Sequence, residues 1–166
     1  MRRGFSLIEL VVTIGVTGLL ATIAIVSLNT ARIRARDAKR IADVKQMVTA
    51  LERYFADSGA YPIEGATVTL GSASETCLSS GGGFAATCTG TTYMNNIPAS
   101  PTPAPAGAGV CSGAAPHAGY CYLAAAPGAS FAITFSLEGA FGGMTDTGDA
   151  DSVVDCTATL NSIICD

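Results

Sequence analysis

The chain has 166 residues, enough for one modest domain. Its net charge of −4 hides an asymmetry: all nine Lys and Arg lie at or before Arg53 with four of the thirteen carboxylates, giving +5 up to that point and −9 beyond it. A C-terminal part without Lys or Arg excludes phosphate-backbone recognition by that part, so no nucleic acid binding is expected there.

The chain opens on a short basic leader, Met1-Arg2-Arg3-Gly4, followed by Phe5-Ser6-Leu7-Ile8-Glu9 and an uncharged run from Leu10 to Leu28. At about 1.5 Å per residue that run spans roughly 29 Å as a helix, close to the thickness of a bilayer's hydrocarbon core. A carboxylate, Glu9, interrupts the apolar stretch, where an unpaired charge costs about 2.5–3.5 kcal/mol. Cleavage between Gly4 and Phe5 would expose an α-amine one helical turn from Glu9, and packed subunits shifted along the axis could pair one chain's amine with the next chain's carboxylate.

The block Gly4-Phe5-Ser6-Leu7-Ile8-Glu9-Leu10, with its basic flank and full-length apolar run, resembles the class III signal of type IV pilins and type II secretion pseudopilins. The likeness extends through the helix to Gly59-Ala60-Tyr61-Pro62, about 60 of the 166 residues. It implies cleavage after Gly4 by a prepilin peptidase, N-methylation of Phe5 by the same kind of enzyme, and recruitment of the neighbouring subunit by Glu9 into a helical filament built on a pilus assembly platform. It also implies a precursor in the cytoplasmic membrane with its N-terminus inside, and a cell-surface filament afterwards. The charges conflict with that orientation: Arg32, Arg34, Arg36, Lys39 and Arg40 outnumber Arg2 and Arg3, so a positive-inside count would put the C-terminal part in the cytoplasm. Processing of the leader and six cysteines beyond the membrane segment favour export. Many members of the family carry a proline in the anchor helix, whereas here none occurs before Pro62; local melting is expected at Gly15 and Gly18 instead.

Residues 1–4 are thus expected to be a leader, 5–28 a transmembrane and assembly helix, and 29–57 its amphipathic continuation. In that continuation Ala38, Ile41, Val44, Val48, Leu51 and Phe55 recur every three or four residues, predicting one buried face. Arg36, Lys39, Arg40, Lys45, Gln46 and Glu52 are predicted to lie off it. Asp37 with Arg40 and Lys39 with Asp43 are expected as helix-surface pairs. The basic cluster from Arg32 to Arg40 is read as a solvated face or as a contact with an acidic domain or anionic lipid. Gly59 and Pro62 should end the helix.

Residues 58–166 are predicted to form a β-rich globular part. Ile63 to Tyr93 reads as loop with a short strand near Thr67 to Leu70, and Gly81-Gly82-Gly83 is no phosphate loop, since no strand precedes it and no Lys-Ser/Thr follows. Four prolines make residues 97–109 an extended surface segment, read as a linker in preference to a decorated, partner-binding loop. His117 is expected in a loop and supports no catalytic constellation. Tyr120 to Ala124 and Ser130 to Leu137 should form a hairpin, with Phe131, Ile133, Phe135 and Leu137 alternating inward. Asp151 to Cys165 has room for one or two further strands. The fold class is α+β: a long N-terminal helix packed on a small antiparallel sheet.

Cys77, Cys88, Cys111, Cys121, Cys156 and Cys165 form an even set without a CxxC pair, favouring disulfides on an exported part over zinc. Fifteen pairings are possible, among which sequential bridges would each close a short loop. The acidic run through Asp146, Asp149 and Asp151 is read as a solvated loop or a calcium site of non-EF-hand spacing; no other cofactor is expected. A structural subunit without enzymatic activity follows, either a pilin or a pseudopilin. The chain begins at Met1 and would be the unprocessed form. The competing readings are a non-polymerising membrane-anchored binding protein and a secreted protein cut near Thr22-Ile23-Ala24.

Overall fold

The computed structural model describes residues 5–111, 115–139 and 153–165. Helix α1 (Leu7–Ser58) runs 52 residues, about 78 Å, with no proline to interrupt its hydrogen-bond ladder. It stops where expected: Gly59 takes the left-handed conformation at φ 74°, a region that L side chains rarely adopt, and donates its N–H to Phe55 O at 2.8 Å. The helix is continuous through Gly15 and Gly18 in the single chain. The hydroxyls of Thr13 and Thr22 donate to the carbonyls of Leu10 and Leu19 at 2.8 Å, and that of Thr17 to Thr13 O. These three threonine hydroxyls thereby find acceptors within the helix, which suits an apolar medium.

Beyond α1 the chain forms eight short strands: β1 (Val68–Leu70), β2 (Cys77–Ser79), β3 (Gly83–Ala85), β4 (Thr92–Met94), β5 (Tyr120–Ala124), β6 (Phe131–Leu137), β7 (Val154–Ala158) and β8 (Ile163–Cys165). They make two antiparallel sheets among the described residues, one in the order β1-β5-β6-β7-β8 and a smaller one in the order β3-β2-β4. The β5–β6 hairpin pairs Tyr122 with Ile133 and Ala124 with Phe131. Phe131, Ile133, Phe135 and Leu137 are all buried, the alternation the sequence predicts. The stretch Ile63 to Tyr93 corrects the loop expectation, since it also holds β2, β3 and the start of β4.

The core lies between α1 and the sheets. Val44, Met47, Ala50 and Leu51 of the helix meet Leu70, Tyr120, Tyr122, Ile133 and Leu137 of the large sheet and Leu78 and Phe84 of the small one. Phe84 sits edge-on to Tyr122 at 4.7 Å, joining the two sheets, and Tyr61 is edge-on to Phe131 at the same distance. Such pairs add about 0.5–1.5 kcal/mol beyond the area they bury.

The buried helix face differs from the predicted stripe. Val44 and Leu51 are on it, but Ala38 and Phe55 are exposed and Ile41 and Val48 half-buried, while Asp37, Arg40 and Asp43 are buried. The face is turned toward the side carrying the charges, because those charges have partners in the head. The segment 97–109 is likewise no linker. Ile97 and Pro105 are buried, and the run is tied to β5 through Cys111.

The cysteines pair sequentially, Cys77 with Cys88, Cys111 with Cys121 and Cys156 with Cys165, closing loops of 11, 10 and 9 residues. The third joins directly opposed residues of β7 and β8. Bridges of this kind typically contribute about 2–4 kcal/mol each, which matters for short strands that cannot hold one another unaided.

Urea denaturation of the detergent-solubilised chain distinguishes the two candidate helix faces. Met47→Ala, which empties a site buried on the observed face but absent from the predicted stripe, is expected to cost about 2–5 kcal/mol, and Ala38→Ser to stay within about 0.5 kcal/mol.

Candidate functional site

Two regions stand out along α1: an uncovered lower half, and the junction at which the helix enters the head. In the lower half the large apolar side chains that are described are exposed, from Phe5 at 83% and Leu7 at 80% to Leu28 at 51%. Its most apolar 18 residues have a mean hydropathy of 2.3 and none is buried, so this part of the helix is long and apolar enough to cross a membrane. A soluble surface does not leave a continuous apolar rod of this size open.

Phe5 and Ser6 precede the first turn. Ser6 is extended, at φ −75° and ψ 142°, and its hydroxyl makes no capping bond, while Leu10 N–H donates to Ser6 O at 3.2 Å. The remaining N–H groups of the first turn lack intrahelical acceptors and carry the positive end of the helix dipole. Glu9 lies in that turn, so its charge is favoured there by about 0.3–1 kcal/mol, well short of the cost of burying it in an apolar medium. It is exposed and has no ion pair among the described residues. Gly4, the other half of the expected cleavage site, lies outside them.

At the junction one turn of α1 inserts a polar network into the head. Arg40 Nη1 donates to Asp37 Oδ1 and Glu138 Oε1, both at 2.7 Å. Its Nη2 donates to Pro101 O and Pro103 O at 3.0 Å, and Nε to Ser100 Oγ at 3.3 Å. Arg36 grips the same Glu138 with Nε at 2.6 Å and with Nη2, and Glu138 N–H donates to Asp37 Oδ1 at 2.9 Å. One turn further, Asp43 Oδ2 accepts from Lys39 Nζ at 2.8 Å and Tyr120 Oη at 3.0 Å. Arg40 is fully buried, so its pair with Asp37 is interior, not the surface pair the spacing suggests.

The hydrogen bonds from Arg36 first, and then those from Arg40, hold the Glu138 carboxyl below its usual range, against the opposing effect of burial. Burial, followed by the charge of Asp43, pushes the Tyr120 phenol up. Burial does the same to Tyr122, whose hydroxyl donates to Pro62 O at 2.8 Å. The basic cluster is thus divided. Arg36 and Arg40 contact their own head, Lys39 pairs along the helix, and Arg32 and Arg34 are exposed without an ion pair among the described residues. Glu138 was not singled out from sequence, Tyr120 only as the start of a hairpin strand, and Asp43 only as a surface partner of Lys39 rather than as part of a buried network. The available signal was a pair of opposite charges three apart, Asp37 and Arg40, on a helix face otherwise destined for the core.

Asp146, Asp149 and Asp151, the candidate calcium ligands, lie outside the described residues. Among the described residues no group of three or more His, Cys, Asp or Glu side chains is placed to hold a metal. His117 is in a loop as expected, but buried. Its backbone N–H donates to Ser136 Oγ at 2.7 Å, and its Nδ1 has no partner among the described residues.

Residues 1–25 match the family model described as the prokaryotic N-terminal methylation motif, the class III signal of type IV pilin and pseudopilin precursors. No curated protein and no solved structure matches the chain. The match falls on the leader, Phe5, Glu9 and the first part of the exposed rod.

Removing one partner from a buried ionic network strands the others, so Arg40→Ala is expected to cost about 3–5 kcal/mol. Glu138 has a lowered pKa in the folded chain, so its contribution is present above the ordinary carboxylate value of 4.5 and lost as pH falls through the lowered one. Thermal unfolding followed by circular dichroism should show the melting temperature falling in that acid range, and Glu138→Gln should flatten the fall.

Proposed function

We propose that the chain is a structural subunit of a type IV pilus-like filament, cut between Gly4 and Phe5, N-methylated on Phe5 and assembled by packing of its uncovered stem. The observation that carries this reading is the coincidence of the methylation motif at residues 1–25 with a rod whose apolar side chains have no cover among the described residues. In the membrane, lipid covers that rod; in the filament, neighbouring rods do. The leader is cytoplasmic in the precursor and the disulfide-bonded head is exported, where its three bridges persist. Residues 1–4, 5–28, 29–57 and 58–166 act as leader, assembly helix, stalk and head.

Glu9 is the assembly residue in this account. An isolated carboxylate at this depth is costly, and the α-amine released on Phe5 of an adjacent copy offsets that cost when the rods shift past one another. The pairing makes docking selective for cleaved chains, because an uncleaved leader holds the amine four residues away. The same signal serves pseudopilins, and a secretion pseudopilus uses the same stem chemistry. The subunit contributes binding surfaces and no catalysis.

Mass spectrometry of sheared surface filaments is expected to find a chain beginning at methylated Phe5. Glu9→Ala should lower filament yield by about tenfold or more while processed subunit still accumulates in the membrane. A mature N-terminus past Ala24, or normal filaments from the Glu9 variant, would refute the proposal.

A further inference from the structure

Unlike charges lie beside the small sheet. Two cations stand along the helix next to β4, where Tyr93 Oη also donates to Asp57 Oδ2 at 2.9 Å, and two carboxylates lie on the side of β2 and β3. Alongside β4, helix α1 presents Lys45, Gln46, Thr49 and Arg53, which with Tyr93 and Met94 line a groove of about 370 Å³. Residues 45, 49 and 53 are spaced to stack on one helix face. Lys45 and Arg53 are exposed and have no ion pair among the described residues.

At the other edge, a Cβ added to Gly83 of β3 would lie 3.8 Å from Glu64 Oε1. Glu75 sits two residues before the central strand β2 and next to Thr76, whose N–H donates to Ala85 O at the end of β3 at 3.1 Å. Partial burial first, and the charge of Glu75 second, push the Glu64 carboxyl above its usual range. Neither carboxylate has an ion pair among the described residues.

We propose that Glu64 and Glu75 of one copy dock against the Lys45–Arg53 groove of the next copy along the filament. The inference rests on the filament reading and adds to it a head-to-stem contact, separate from the packing of the apolar rods. The charge distribution leaves few alternatives. No cation occurs after Arg53, so a head can find positive charge on another copy only along the stem. Of the stem cations above the leader, Arg36, Lys39 and Arg40 are already paired, and Arg32 and Arg34 lie beside the apolar segment. Lys45 and Arg53 are the pair at the level of the head.

The geometry also fits a filament. With strands about 4.8 Å apart in the order β3-β2-β4, the acidic and basic edges of one sheet are separated by roughly 10 Å and face opposite ways. Unlike patches on one chain make a heterologous contact, which propagates into an open helix instead of closing a symmetric pair. Lipid does not fit the groove, since Lys45 lies about 26 Å along the helix from Leu28, beyond the reach of a headgroup potential screened over about 8 Å.

The test compares three full-length variants in cells that assemble wild-type filaments: Lys45→Glu with Arg53→Glu, Glu64→Lys with Glu75→Lys, and all four together. Sheared filament yield is normalised to processed, disulfide-bonded subunit in the membrane, so that misfolding is not read as an assembly defect. Each pair is expected to reduce yield by about tenfold, because like charges then face one another. The fourfold variant, in which the signs are exchanged, should return to within about threefold of wild type. Either pair assembling normally, or the fourfold variant remaining as defective as the pairs, overturns the docking contact and leaves the filament reading intact. Duplex DNA co-sedimenting with wild-type filaments but not with the normally assembled Lys45/Arg53 variant would also overturn it, and assign the groove to nucleic acid. If processed wild-type chain accumulates but never polymerises, the filament reading itself fails, and the contact with it.

Discussion

One helix has to serve two media. The unbroken ladder from Leu7 to Ser58 passes from a half whose apolar side chains are left uncovered by the described residues to a half buried in the head. The upper half is stable because Val44, Met47, Ala50 and Leu51 lose their water to two sheets. The lower half has no such cover among the described residues. Glu9 is the one carboxylate before Asp37, which makes the charge balance of the uncovered rod depend on what is brought beside it.

The junction between the halves is polar where a simple amphipathic helix would be greasy. Buried ionic groups are weak contributors to stability compared with apolar residues of the same volume, but they tolerate little misalignment. Arg36 engages both oxygens of Glu138, and Arg40 reaches Asp37, Glu138 and two carbonyls of the proline-rich segment. Apolar contacts alone allow a helix to roll or slide; a fork-shaped guanidinium held from several directions does not. The head is therefore fixed in rotation about the stem. In a filament, that rigidity would turn a regular packing of rods into a regular display of heads, the condition for a contact between the edges of neighbouring small sheets.

The sequence made the large periodic features legible. The apolar run, the Gly59–Pro62 stop, the β5–β6 hairpin and the short disulfide loops all rest on local signals of composition or spacing. The small sheet was missed because strands of three residues rich in Gly, Ser and Thr are too short to show alternation. The predicted helix stripe keeps Val44 and Leu51 but is rotated from the buried face, because apolar periodicity counts Asp37, Arg40 and Asp43 as solvent-seeking. Their partners, Glu138 and Tyr120, are 77 to 101 residues away, and only the fold brings them together. The same blindness made the proline-rich segment read as a linker, when its carbonyls are what Arg40 needs. Of the candidate site, the methylation motif at residues 1–25 was readable because its signal is local, whereas the junction was not.

The central claim is that the Glu9 carboxylate is neutralised by the amine of another copy's Phe5. A filament map at side-chain resolution measures this directly. The account predicts a nitrogen of a neighbouring chain's first residue within about 3 Å of a Glu9 oxygen, in a dry interface between rods. A Glu9 side chain open to water, or paired with an arginine while the amine lies elsewhere, would contradict it.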